Sequence, residues 1–371
     1  MKKEVSAPAK KFGDVYRFLY FHKVCSRQQL AENLAISLPT VSANLSMLAD
    51  MGLISSYGEF ESTGGRKANM IGIVPEARYA IGIDITSLRT VFLMTDLRLC
   101  IVDRVRLDMK YENSPAYYQA LNETIGAMLE KNSVSDEQFL GVGISIPATI
   151  EKGSEKVPVN TVIGLPVNFS DFLKKNLRYP FHMINDADAA GWAELWQQDT
   201  DRAMVYLSLS YTVGGAIVVN RRVFHGDSQR SAEFGHMTLV PHGKKCYCGK
   251  KGCVDAYCAE KILSDFTGGD IHLFFEELKN GNAGFLEIFN QYLRNLAIIV
   301  NNLKMCFDCR VVLGGTMGHY LKDYLEKLRT LACELSTYQE DPQYIQVCVL
   351  NEEPSAVGAA LYYVDRFIHS L

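Results

Sequence analysis

RYAIGIDITSLRTVFLMTDLRLCIVDRVRLDM (78–109) and RAMVYLSLSYTVGGAIVVNRRVFHG (202–226) follow one plan: an apolar run, a turn, a second run, a second turn and a third run. Their β-branched content and the turn residues between the runs predict three successive antiparallel strands in each segment. Helical and further strand patterns follow both meanders, so the chain from residue 78 onward reads as a βββαβα unit used twice. Two such units leave a cleft between them, and in open α/β sheets ligands bind at the carboxyl ends of strands. RVVLGGTM (310–317) and IQVCVL (345–350) supply later strands, and PSAVGAALYYVDRF (354–367) supplies a helix after them.

This duplicated α/β plan is similar to the actin-like, RNase H-like architecture of sugar kinases. At 371 residues the chain exceeds one ordinary core. It has no apolar run of membrane-spanning length, and MKKEVSAPAKKFGD lacks the apolar centre of a signal peptide, so a cytoplasmic protein without a membrane partner is expected. Ten cysteines then mean thiols rather than disulfides. Cys100, Cys333 and Cys348, each within an apolar run, read as small core residues.

The first eighty residues differ in charge. They carry ten Lys or Arg against seven acids, whereas the rest carries 28 against 35, within a net charge of −4. A basic head on an acidic body points to an anionic partner for the head. Three helical patterns follow one another there. The first is GDVYRFLYFH (13–22). The second is SRQQLAENLA (26–35), with Ser26 as N-cap and Gln29 placed for a capping box. The third is SLPTVSANLSMLADMGL (37–53), capped by Ser37, with Val41, Leu45 and Leu48 as an apolar stripe and Gly52 as its stop.

The short joint between the second and third patterns is that of a helix-turn-helix. LISSYGEFEST (53–63), GGRKA (64–68) and NMIGIV (69–74) add a hairpin, which makes a winged helix. In that reading the third helix enters the major groove of a double-stranded DNA operator and offers Pro39, Thr40, Ser42, Ala43 and Asn44 to it. Arg66 and Lys67, at the wing tip, suit phosphates or a narrow minor groove. The pattern also suits a three-helix interaction module whose basic residues are only solvated. The expected domains are a winged helix over 1–77, a first α/β lobe over 78–190 and a second lobe with the cysteine motif over 191–371.

GGRKA at the wing, INDADAA (184–190), EFGHM (233–237) and CYCGKKGC (246–253) followed by Val254 and Asp255 together resemble the ROK family of repressors, open reading frames and sugar kinases, in its repressor branch. The resemblance covers nearly the whole chain. It implies a structural Zn2+ on His236, Cys246, Cys248 and Cys253. Three thiolates and one imidazole suit a closed tetrahedral site with no position for a catalytic water. Cys258 lies outside that motif.

The resemblance also implies a sugar pocket formed by Asn185, Asp186, Glu233, His236 and Asp255, in which Asp186 stands where the kinases keep their catalytic base. Asp255 replaces the usual glutamate, keeping the carboxylate on a shorter arm. From the residues alone, Asn185 and Asp186 equally suit helix capping, and Glu233 a buried ion pair.

Family kinases carry glycine-rich turns that let backbone amides wrap ATP phosphates. The matching runs here are DITSLR (84–89), without glycine, and SYTVGGA (210–216), whose leading positions are Ser210, Tyr211 and Thr212. The expectation is therefore a sugar-responsive transcriptional regulator, a repressor relieved by a sugar or sugar phosphate, and not an enzyme. The alternatives are an active sugar kinase with a DNA-binding head, and a regulator answering to a protein partner. Paired heads imply a homodimer or homotetramer on a near-palindromic operator.

Overall fold

The computed structural model describes residues 7–59, 69–157, 163–198, 202–338, 341–350 and 352–371. The head comprises α1 (Ala7–His22), β1 (Val24–Cys25), α2 (Arg27–Asn33), α3 (Leu38–Asp50), β2 (Ile54–Glu59) and β3 (Asn69–Ile73), with an antiparallel sheet in the order β1-β3-β2. Both caps read from the sequence form. The Ser26 amide donates to Gln29 Oε1 at 2.8 Å and the Gln29 amide to Ser26 Oγ at 3.2 Å. Ser37 Oγ accepts from the Thr40 amide at 3.3 Å. Val41, Leu45 and Leu48 are buried, and Gly52 turns the chain at φ 68°. Strand β1, too short to show periodicity, joins the wing sheet. Arg66 and Lys67 lie outside the described residues.

The first lobe contains β4 (Tyr79–Ile85), β5 (Thr90–Asp96), β6 (Ile101–Leu107), α4 (Pro115–Lys131), β7 (Phe139–Ile146), α5 (Phe169–Asn176) and β8 (Phe181–Asn185), and α6 (Asp186–Gln197) follows. The second contains β9 (Met204–Leu209), β10 (Val213–Val219), β11 (Arg222–Val223), α7 (Asp255–Cys258), α8 (Lys261–Ser264), α9 (Ile271–Lys279), α10 (Ala283–Phe307), β12 (Arg310–Gly314), α11 (Thr316–Leu321), α12 (Leu325–Leu335) and β13 (Ile345–Val347), before α13 (Pro354–Ser370). The sheets run β6-β5-β4-β7-β8 and β11-β10-β9-β12-β13. In each, the meander is antiparallel and the two later strands run parallel to its first strand. The repeat read from 78–109 and 202–226 is thus a repeat of topology.

Helix α13 follows the second lobe in sequence but packs on β4 and β7 of the first, and on α6. Glycines bring the backbones together: a Cβ at Gly82 would lie 1.8 Å from the Ala356 carbonyl oxygen, at Gly143 1.9 Å from that of Ala359, and at Gly358 1.8 Å from that of Ala189. The division expected at 190/191 falls inside α6, and the stretch 354–370 lies with the first sheet. Apolar periodicity tells that a helix is buried, not which sheet buries it.

Replacing Gly358 by Ala would raise intrinsic helix propensity by about 1 kcal/mol. Steric overlap with Ala189 outweighs that gain, and a net loss of about 2–3 kcal/mol is expected in urea unfolding. A neutral or stabilising result would contradict the backbone contact.

Helix α10 packs in the second core through Phe289, Tyr292, Leu293, Leu296 and Val300. Cys348 is buried as expected, whereas Cys100, in the turn before β6, and Cys333, on the outer side of α12, are exposed. Among the described residues no helix is long and apolar enough to cross a membrane.

Candidate functional site

Between the lobes lies a cavity of about 1320 Å³. Its floor is the start of α6, where β8 ends in Asn185. The Asn185 side-chain oxygen caps that helix, accepting from the Ala187 and Asp188 amides at 2.9 and 3.1 Å, while its Nδ2 donates to the Ala148 carbonyl at 3.2 Å. The capping role and a place in the cavity therefore coincide. Asp186 and Asp188 follow on the same rim. Burial and the neighbouring Asp84 push the Asp186 carboxyl up to about 7. Burial pushes Asp84 up to about 6, against the hydroxyl of Ser145, which donates to it at 2.8 Å. Asp188 faces His225, with Oδ2 3.2 Å from Nδ1.

Glu233 and His236 line the opposite wall. The EFGH turn sits close against β10: a Cβ at Gly235 would lie 2.1 Å from the Val213 carbonyl oxygen, and one at Gly215 2.2 Å from the Phe234 ring. Asp255 is buried but does not line the cavity. Its Oδ2 accepts from the Val213 amide at 2.8 Å. The expected sugar set therefore comes together for Asn185, Asp186, Glu233 and His236 and not for Asp255, whose short side chain is held by the backbone.

His236, Cys246, Cys248 and Cys253 bring their ligand atoms within 4.8 Å of one another. The Cys248 and Cys253 sulfurs are 3.8 Å apart, and Cys246 Sγ is 3.9 Å from His236 Nδ1. A tetrahedral ion bonded to sulfur at about 2.3 Å keeps its sulfurs about 3.8 Å apart, so the four residues fit a metal ion. The Tyr247 hydroxyl stands 3.2 Å from His236 Nε2, leaving Nδ1 for the metal. Short backbone bonds such as Cys246 N to Lys250 O (2.9 Å) and Leu239 N to Gly252 O (2.7 Å) shape the loop. Cys258 is fully buried in the second core, apart from the quartet.

Several cavity residues were not foreseen. Trp192 follows Asn185 and Asp188 at helical spacing, so its inward position was legible once α6 began at 186. Tyr247 sat inside the cysteine motif. Tyr362, Asp365, Arg366 and His369 come from α13, far off in sequence, with no local pattern to announce them. Tyr362 stacks on His182 at 3.6 Å between centroids, and burial pushes the His182 ring down to about 4.

The runs DITSLR and SYTVGGA bond to the protein itself. In DITSLR the Thr86 hydroxyl accepts from the Arg89 amide at 3.2 Å, and Glu353 holds Arg106 at 2.9 Å with Arg89 at 3.8 Å. In SYTVGGA, Ser210 Oγ accepts from the Thr316 amide at 3.2 Å, and a Cβ at Gly315 would lie 2.5 Å from that same oxygen. The remaining pair, Gly214 and Gly215, gives room to Ala187 and Phe234.

On the head, Pro39 and Ala43 are exposed and Thr40 and Ser42 half-buried on α3. Asn44 is buried, and its Nδ2 has no hydrogen-bond partner among the described residues. It stands three residues after Val41 and four before Leu48, on the stripe that packs inward, so it does not present an amide to a base edge.

A family model described as the ROK family matches residues 80–366. The chain is 26% identical over 356 residues to a xylose repressor of Bacillus subtilis, covering 92% of each protein. It is 29% identical to a xylose repressor of Bacillus spizizenii over 64% of this chain and 62% of that one. It is also 27% identical to an N-acetylmannosamine kinase of Vibrio cholerae, over 63% of this chain and 84% of that one. Among solved structures, a ROK family transcriptional regulator described as a homolog of the E. coli MLC protein superposes with a TM-score of 0.74 at 16% identity, covering 97% of both chains. The head as well as the two lobes thus has a structural counterpart. Matched over most of its length by that family model, this chain belongs to the ROK family.

Proposed function

We propose that the protein is a sugar-responsive transcriptional repressor, whose winged head binds operator DNA and is released when a sugar or sugar phosphate occupies the cleft. The observation that carries this reading is the pairing of a cleft lined by Asn185, Asp186, Glu233 and His236 with a SYTVGGA run whose Ser210 hydroxyl is bonded to the Thr316 amide. Ser210, tied to Thr316, occupies the space where a phosphate-wrapping turn needs bare backbone. The similarity to xylose repressors makes D-xylose the first sugar to try. The metal quartet is assigned to Zn2+, whose preference for sulfur and nitrogen matches it. Its role is to fix the loop that carries His236 and Tyr247. Two heads on a homodimer or homotetramer would read two half-sites.

Asp84 and Asp186 keep carboxylates of the kind a kinase would use, so the kinase reading is tested alongside. A thermal-shift panel of pentoses, hexoses, N-acetylated sugars and their phosphates should find a ligand that raises stability by about 2.7 kcal/mol at a hundredfold excess over Kd. A coupled assay with ATP and the same panel should show no turnover above that of the protein without sugar. Sugar-dependent turnover lost in Asp186→Asn would establish the kinase instead. A panel without any shift would favour a protein effector.

A further inference from the structure

Helix α6 has the cavity at one end and the head at the other. Asn185 and Asp188 line the cavity at its start, and Trp192 lines it further along. Trp192 meets Trp196 edge to face, with ring centroids 6.3 Å apart. Trp196 reaches the head: its Nε1 donates to the hydroxyl of Tyr20 on α1 at 3.1 Å, and its ring lies 5.4 Å from that of Phe21.

A second route starts on the same wall. Arg222 and Val223 line the cavity, and the turn before them holds Asn220 and Arg221 at φ 52° and 60°. Two successive left-handed residues make the tight turn of a two-residue hairpin, seldom built without glycine. The Arg221 carbonyl accepts from Trp192 Nε1 at 2.9 Å, and its guanidinium lies 4.4 Å from the Phe21 ring centroid. Both routes end on one turn of α1, where Tyr20 also donates to the Leu97 carbonyl at 2.6 Å. A single apolar core runs through head, α6 and α13 without a break.

We propose that α6 and the β10-β11 turn carry the state of the cavity to the head, with Trp192 reading the ligand and Tyr20 and Phe21 receiving the change. This rests on the reading of the cleft as a sugar site and of the head as a DNA reader. Close-packed interfaces switch between discrete arrangements rather than deform smoothly, so a ligand that moves Trp192 must re-seat Trp196 and Arg221. Coupling is reciprocal: operator DNA held by the head would weaken the sugar by the same factor by which the sugar weakens the DNA.

The chain has two tryptophans, and both lie on this helix. In the full-length protein labelled with 5-fluorotryptophan, the two side chains give separate fluorine resonances, assigned from Trp196→Phe, so each is read with the relay intact. With D-xylose as probe, both resonances of the labelled protein should shift with the same midpoint. Tyr20→Phe removes one hydroxyl and spares the packing. In this variant D-xylose should bind within about twofold of wild type, while its effect on affinity for a selected operator duplex falls from about tenfold or more to less than about twofold. A Trp192 reporter that saturates beside a silent Trp196 reporter, or an undiminished response in Tyr20→Phe, overturns the relay. A flat Trp192 signal with D-xylose and with every other sugar of the panel overturns the sugar reading itself, and the relay with it.

Discussion

Chelation of the metal from the full-length protein is expected to abolish the sugar-induced rise in melting temperature while the two lobes stay folded. The quartet sits in a loop held by short backbone bonds and two isolated bridges, Thr238 with Cys253 and Lys245 with Lys251. None of its four residues lies in a strand of either five-stranded sheet. Without an ion, three thiols and an imidazole crowd within 4.8 Å of each other, and burial pushes the Cys246 thiol up to about 12. Metal binding to such sites supplies the free energy that orders them. Loss of the ion therefore frees His236 and Tyr247 from the cavity wall. Cys248→Ser, which removes one thiolate from the quartet, should act in the same direction and lower sugar affinity. Far-ultraviolet circular dichroism should change little. A chelated protein that still answers to sugar would separate the metal from the ligand site.

Asp186→Asn is expected to make the free protein more stable and the sugar response weaker. The sign follows from its titration. Its carboxyl ordinarily loses its proton near 3.8 and in the fold near 7. Between those values the native state holds a proton that the unfolded chain has released, so stability falls as pH rises from about 4 to about 7 and stays low above that. Asparagine carries no such penalty. The variant should exceed wild type by an amount on the order of 4 kcal/mol at pH 8, and the difference should vanish near pH 4. Hydrogen bonds to charged groups contribute about 1.5–3 kcal/mol, so sugar affinity should fall roughly ten- to a hundredfold. Urea titrations at the two pH values and a calorimetric sugar titration read both effects. Equal stability at pH 8 would mean that the carboxylate is better solvated than its burial implies.

Features encoded by local spacing were legible in the sequence. Ser26 with Gln29, Ser37 and the repeated meander depend on residues a few positions apart or on one repeated pattern, whereas the metal quartet was legible through the likeness of its motif to a family. Legibility ended where the chain meets itself at a distance. Nothing near residues 354–370 says that their helix lies on β4 and β7 or that Tyr362 and Arg366 help form the cleft wall. Asp255 is a carboxylate as expected, but the Val213 amide, at the start of β10, decided where that carboxylate points. Asn44 is a different case. Its place on the inward stripe with Val41 and Leu48 follows from helical geometry, which outweighs the polarity of its amide.

The return of α13 to the first sheet has a consequence for synthesis. The first lobe emerges from the ribosome with the glycine-lined faces of β4 and β7 uncovered, and they remain so until residues 354–370 have been made. Its folding is therefore completed after translation of the second lobe, not domain by domain in order of synthesis. In the interval that apolar surface is a target for chaperones, and expression at low temperature or with added chaperone should raise the yield of folded protein more than any change to the head.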